Sequence, residues 1–267
     1  MFKAGFIGCG HMGGALAGAA ARAVGGSEVL TSDRDAGKVS ALRNDFGTVP
    51  AETLRTASES RYLFLGVKPQ GMKETAEEIR DAFLARTDSP ILVSMAAGIS
   101  LASLSGYFPG AKIIRILPNL PVSTGEGVIL YTPDKNVTEE DEAGFLGLMK
   151  EAGLCLRIDE NKIDAGCALI GCGPAFICLW MEAMIAAGIR SGLSSDMARE
   201  MTVRTFLGTA SLLKESGEDP AALRQAVCSP AGSTIEGVAA LEKSGARAGA
   251  MDAVDAAFRR TVELGKS

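Results

Sequence analysis

Residues Phe2–Ile7 form a short apolar run that passes directly into Gly8-Cys9-Gly10-His11-Met12-Gly13, a G-x-G-x-x-G pattern leading into an alanine-rich stretch. No other feature constrains the fold as much. A strand that ends in glycines and feeds a helix turns the unpaired N–H groups of the helix start toward an anion, usually a dinucleotide pyrophosphate. Gly8 permits the tight turn, Gly10 lets a phosphate approach the backbone, and Gly13 lets the helix pack closely on the strand. On its own the pattern also fits a merely structural turn, so its meaning depends on the rest of the chain.

Downstream of the turn, helices and strands alternate. Residues 12–24 read as a helix, 29–31 as a short strand ending at Ser32-Asp33-Arg34, and 36–46 as a second helix. The continuous apolar run of residues 62–67 is typical of a strand buried on both faces. Next come a charged helix over 72–86, a strand at 91–94, a short helix capped by Ser100, and a strand at 112–116. Residues 127–131, a helix over 138–151 and a strand at 155–158 extend the series. Strands alternating with helices at this spacing predict a doubly wound, Rossmann-like α/β domain with a mostly parallel sheet. After residue 160 strand-like runs cease. Residues 174–190 make a helix apolar almost all round, with Glu182 and Arg190 its only charges. Such a helix must be buried, and a small second domain buries it best against another subunit. The expected organisation is a dinucleotide-binding domain over 1–160 and an all-helical dimerisation and substrate domain over 161–267, in a homodimer or a larger homo-oligomer of dimers.

Composition excludes several classes. The net charge of −5, with no cluster of Lys or Arg, argues against a nucleic-acid partner. No apolar run is expected to span a bilayer, and residues 1–7 are too short for a secretory core, which together predict a cytoplasmic protein without a membrane partner. The six cysteines form no Cys-x-x-Cys pair and there is one histidine, so no metal site is expected.

Ligands of doubly wound sheets sit beyond the carboxyl ends of the strands. On that rule Ile7, Gly8, Cys9, Gly10, His11, Met12 and Gly13 hold the pyrophosphate, while Val67, Lys68 and Pro69, with Ala96 and Ala97, line the same cleft. Asp33 is placed for the 2′-hydroxyl of NAD and Arg34 for the 2′-phosphate of NADP, so either cofactor is open. Asn119, braced between Pro118 and Pro121, is expected near the nicotinamide. In the second half, the loop Cys228-Ser229-Pro230-Ala231-Gly232-Ser233-Thr234 opens a helix whose first N–H groups and hydroxyls suit a carboxylate. Ser229, Gly232, Ser233 and Thr234 are therefore substrate-binding candidates.

Absences narrow the chemistry. The one histidine, His11, lies in the phosphate turn, and no lysine occurs between Pro174 and Arg190. Carbonyl reduction needs an acid to protonate a developing alkoxide. Hydride addition to a protonated imine leaves a neutral amine and needs less help, which favours a C=N substrate.

At this point the chain resembles the pyrroline-5-carboxylate reductase family. The resemblance rests on the 8–13 turn, on Gly66-Val67-Lys68-Pro69-Gln70, on Arg115-Ile116-Leu117-Pro118-Asn119-Leu120-Pro121 with Gly125-Glu126-Gly127, on Gly171-Cys172-Gly173-Pro174-Ala175-Phe176, and on the 229–234 loop. The chain departs from the family pattern at Cys172 (usually Ser), Phe176 (Tyr), Leu117 (Met), Leu120 (Thr) and Ala231 (Gly). The resemblance implies hydride transfer from NADPH or NADH to the C=N bond of 1-pyrroline-5-carboxylate, giving L-proline. It also implies that the 232–234 amides hold the substrate carboxylate and that Thr234, as the catalytic residue, hydrogen-bonds the ring nitrogen. A reductase for another cyclic imine or a small keto acid, and a non-catalytic dinucleotide sensor, are the competing readings.

Overall fold

The computed structural model describes residues 1–264, and the chain divides into two compact units. The first comprises Met1–Gly171 and the final turns of the last helix from Phe258, and the second is Cys172–Ala257.

Eight strands form one sheet in the first unit: β1 (Phe2–Ile7), β2 (Val29–Ser32), β3 (Val49–Pro50), β4 (Ser60–Leu65), β5 (Ile91–Ser94), β6 (Lys112–Pro118), β7 (Gly127–Pro133) and β8 (Gly153–Arg157). Their order is β3-β2-β1-β4-β5-β6-β7-β8, parallel except where β7 returns antiparallel to β6. The helices between them are α1 (His11–Val24), α2 (Ala36–Phe46), α3 (Thr53–Glu59), α4 (Met72–Leu84), α5 (Leu101–Tyr107) and α6 (Glu139–Met149). The direction of strand order reverses between β1 and β4, so the turns after these two strands flank the switch point. The doubly wound expectation holds. The sequence reading missed β3 and α3, since a two-residue strand carries no period and the buried residues of α3 are only Thr56 and Ala57.

Alternation along β4 builds both cores. Tyr62 and Phe64 face α1 and α6, where Phe64 stacks on Phe6 with ring centroids 4.4 Å apart. Leu63 and Leu65 face the opposite way, onto Met72, Ile79 and Phe83 of α4 and Leu104 of α5. Every one of these residues is buried, so the central strands are covered on both faces by their own chain. At its amino-terminal edge, Asp141 near the start of α6 receives Arg61 at 2.7 Å and Lys112 at 2.6 Å, and its side chain is 2% exposed. It also accepts the N–H and hydroxyl of Thr138, closing a capping box. Burial opposes ionisation of Asp141, but Lys112 and the Thr138 donors outweigh it and lower its pKa.

Beyond β8 the chain turns helical through α7 (Ile163–Gly166) and a π-helical turn at Cys167–Gly171. The second unit holds α8 (Gly173–Arg190), α9 (Ser195–Ser216), α10 (Pro220–Ala226), α11 (Ser233–Lys243) and the first turns of α12 (Ala246–Leu264). Gly188 of α8 lies against Ala198 of α9, where a larger residue would push the helices apart. Asp219 caps α10 through the Ala221 N–H, with Pro220 at the first helical position. α8 has no buried residue, and Leu179, Trp180 and Met184 are exposed on it. By length and composition Glu160–Arg190, whose most apolar 18-residue window has a mean hydropathy of 1.7, is apolar and long enough to cross a membrane, contrary to the sequence-based expectation. Acidic and basic residues at its two ends mask the run in the sequence.

Candidate active site

In the first unit the turns after β1, β2, β4 and β5 lie at the carboxyl edge of the sheet. Gly8 has φ +90°, and a Cβ on either Gly13 or Gly66 would run into the Gly8 carbonyl oxygen. These three glycines let the turn after β1, the start of α1 and the turn after β4 meet backbone to backbone. At Gly10 the situation is opposite, since a Cβ there would meet nothing within 4 Å. The space in front of Gly10 is therefore open, and Gly10 caps α1 without any side-chain acceptor for the first helical N–H groups. A helix N-terminus of this form, facing open space at a switch point, fits a pyrophosphate.

The other residues expected in this cleft fall around that turn. Cys9 is buried, with its thiol directed at the Ser32 carbonyl, and burial followed by the charge of Asp33 pushes its pKa up to about 12. It is an inert packing thiol, and its N–H donates to Asp33 Oδ2 at 2.6 Å. His11 is exposed at the first position of α1, and Met12 is half-buried beside it. Val67 packs on the core beneath α4, while Lys68 is exposed at the entrance to the Pro69–Gly71 turn. Ala96 is buried and Ala97 exposed, ahead of Gly98 at φ +77°.

Asn119, expected beside the nicotinamide, is buried and held by two hydrogen bonds within the fold. Its Oδ1 accepts the Val128 N–H at 2.8 Å and its Nδ2 donates to the Ile170 carbonyl at 3.2 Å. Because β7 folds back antiparallel on β6, Val128 lies beside the loop, and the amide braces that loop against β7 and the π-helical turn. Sequence reasoning also assigned no role to Glu160. One carboxylate oxygen of Glu160 accepts both Arg115 Nη1 at 2.8 Å and the Leu101 N–H at 2.7 Å. The available signal was Arg115 itself, a cation within an apolar strand that had to find a partner.

In the second unit, Gly232 caps α11 with no side-chain acceptor, and its N–H donates to the Ser229 carbonyl at 3.1 Å. Ser233 and Thr234 occupy the first two helical positions and are exposed. Ala231 holds φ +56°, a left-handed conformation that favours glycine. Thus the 229–234 loop presents free first-turn donors and two hydroxyls together.

Comparison with known proteins matches this geometry end to end. A family model described as pyrroline-5-carboxylate reductase dimerisation matches residues 160–264, and one described as NADP oxidoreductase, coenzyme F420-dependent, matches residues 3–98. A pyrroline-5-carboxylate reductase 3 of Danio rerio is 37% identical over 98% of this chain and 91% of its own length. The chain belongs to the pyrroline-5-carboxylate reductase family. An Arabidopsis thaliana member is 37% identical over 100% of this chain and 96% of its own. The solved pyrroline-5-carboxylate reductase of Coxiella burnetii superposes with a TM-score of 0.91 at 28% identity, covering 100% of this chain and 99% of the other. That of Plasmodium falciparum, solved with NADP bound, gives 0.86 at 27% identity, with 99% and 98% covered. The family consists of NAD(P)-dependent oxidoreductases, and the cofactor of this member is NADP(H) or NAD(H).

Two family departures can be placed. Cys172 caps α8 through its backbone carbonyl, which accepts the Ala175 N–H at 3.0 Å, so the cap does not depend on the side chain. Phe176 is half-buried in the first turn of α8.

Proposed function

We propose that this reductase passes hydride to the C=N bond of 1-pyrroline-5-carboxylate, giving L-proline, with the cofactor held by residues of the first unit and the pyrroline by residues of the second. The 8–13 turn holds the pyrophosphate, Asp33 and Arg34 meet the adenosine ribose, and Val67, Lys68, Pro69, Ala96 and Ala97 line the nicotinamide side. Ser229, Gly232, Ser233 and Thr234 hold the pyrroline. The observation that carries this reading is the open, uncapped start of α1 behind Gly8, Gly10 and Gly13 in a chain that matches the family over its whole length.

Bound NADPH or NADH supplies the hydride, and this chain's residues position the acceptor. The Ser233 and Thr234 N–H groups at the start of α11, behind the Gly232 cap, neutralise the substrate carboxylate, as a helix N-terminus does for any anion. The Thr234 hydroxyl hydrogen-bonds the ring nitrogen and holds the imine carbon toward the hydride donor. Protonated imine plus hydride gives a neutral secondary amine, so no alkoxide has to be protonated. Catalysis is then mainly orientation and charge stabilisation.

We also place the helical domain, residues 161–267, at the centre of a homodimer or larger homo-oligomer working in the cytoplasm, with the partner's loop completing the substrate site. The exposed apolar side chains of α8 support this.

Thr234→Ala tests the site. Pyrroline reduction should fall about a hundredfold to a thousandfold, as for loss of one transition-state hydrogen bond, while the cofactor dissociation constant stays unchanged. Normal turnover would remove Thr234 from the mechanism.

A further inference from the structure

The parallel register of β1 and β2 sets Ile7 opposite Ser32, which delivers residue 33 to the side of the 8–13 turn. There the Asp33 carboxylate is held from three directions. Oδ2 accepts the Cys9 N–H at 2.6 Å, and Oδ1 accepts the Asp35 N–H at 2.9 Å and lies 3.5 Å from Lys38 Nζ. Two of these donors are backbone groups, so the carboxylate cannot swing aside without breaking the turn's own hydrogen bonds. Its side chain is only 12% exposed. Burial alone would raise its pKa, but the Asp35 and Cys9 N–H groups and Lys38 overcome that and hold it below the ordinary carboxylate range.

Arg34 next to it is held by little. Its side chain is 83% exposed and reaches Glu74 of α4, itself 70% exposed, at 3.0 Å. An exposed pair of this kind contributes little and positions nothing firmly. The charged groups gathered here are Asp33, Asp35 and Glu74 against Arg34 and Lys38, an excess of one negative charge.

We propose that Asp33 makes this chain prefer NADH over NADPH, the fixed carboxylate accepting a ribose hydroxyl and repelling a 2′-phosphate. A carboxylate at the end of the second strand is matched to a 2′-hydroxyl, and a phosphate dianion beside it meets like charge at close range. Arg34 does not reverse the outcome, because it stands in solvent on a screened pair with Glu74 while Asp33 is fixed by backbone donors. The inference rests on the reading of the 8–13 turn as the pyrophosphate site.

The test is binding of NADH and NADPH to the full chain, read by nucleotide fluorescence, with ADP and adenosine 2′,5′-bisphosphate as competitors. NADH should bind about tenfold or more tightly than NADPH, and ADP should compete better than the bisphosphate. Asp33→Asn should move the NADH-to-NADPH ratio toward NADPH by about tenfold, and Asp33→Ser should do the same if the first variant folds poorly. Arg34→Ala should change the native ratio by less than about threefold. NADPH binding as tightly as NADH in the native chain, or an unchanged ratio in both Asp33 variants, overturns the proposal. Binding of neither nucleotide overturns the pyrophosphate reading itself, a result distinct from losing the preference alone.

Discussion

The two units of this chain use apolar residues to different ends. In the first, Phe6, Phe64, Phe83, Phe108 and Phe145 are all buried, and the central strands are covered on both faces by helices of the same chain, with Leu154 and Leu156 of the edge strand β8 exposed. In the second, Ala198 and Thr202 are the only buried residues among those described, while Leu179, Met184, Met201, Val203 and Leu207 stand open. The first unit therefore carries its stability within one protomer. The second carries an apolar face that a single protomer leaves in water, which agrees with the dimerisation family that matches it. One chain can thus combine a self-contained nucleotide fold with a helical unit that needs a partner.

The largest effect should come from placing charge on the open face. Leu179→Glu would bury a carboxylate wherever the face is covered, at a cost of several kcal/mol. Assembly should be lost, and pyrroline reduction should fall about a hundredfold or more with it, while NADH binding to the first unit persists. Light scattering and nucleotide fluorescence check this together; an unchanged mass would show that the α8 face is not an interface.

Cutting into the first unit should have a different signature. Phe64→Ala removes a ring stacked on Phe6 and packed near Phe145. Unfolding free energy should fall by about 3–5 kcal/mol in denaturant titration, with the assembly state unchanged below the transition. If assembly is lost before unfolding, the two units do not carry their stability independently.

A smaller effect belongs to the Asp141 cluster. Asp141→Asn keeps the shape but leaves Lys112 and Arg61 short of their counter-charge, at a cost of about 2–3 kcal/mol because both cations are partly hydrated. The sign of its pH dependence comes from the lowered pKa. The native carboxylate contributes stability fully above the unfolded value, about 3.9, and loses it as pH falls through the lower folded value. Native and variant stabilities should therefore converge below about pH 4. A constant gap between them down to about pH 3 would show that the ionised carboxylate is not the source of the stability.

Much of the nucleotide fold could be read from the chain because its signals are local. The apolar runs of β1, β4 and β5, the glycines at 8, 10 and 13, and the caps at Ser100 and Asp219 each depend on neighbours within a few residues. The absence of a general acid on α8 was equally plain and pointed to imine chemistry. The bracing bonds of Asn119 were not legible, because its partners, Val128 and Ile170, are 9 and 51 residues away in the chain. β3 and α3 escaped notice for a different reason, being too short to show a period.

By itself the sequence determined that a dinucleotide turn opens the chain, that strands and helices alternate behind it, and that one helix is too apolar to stand alone. Those properties come from composition and spacing, which act over a few residues. Only the tertiary structure decided what each polar side chain is for. Asp33 and Arg34 looked equivalent as ribose ligands, adjacent in sequence and opposite in charge. The β1–β2 register then put one carboxylate on the Cys9 N–H and left the guanidinium in solvent, since a hydrogen bond across 24 residues exists only after the strands have paired.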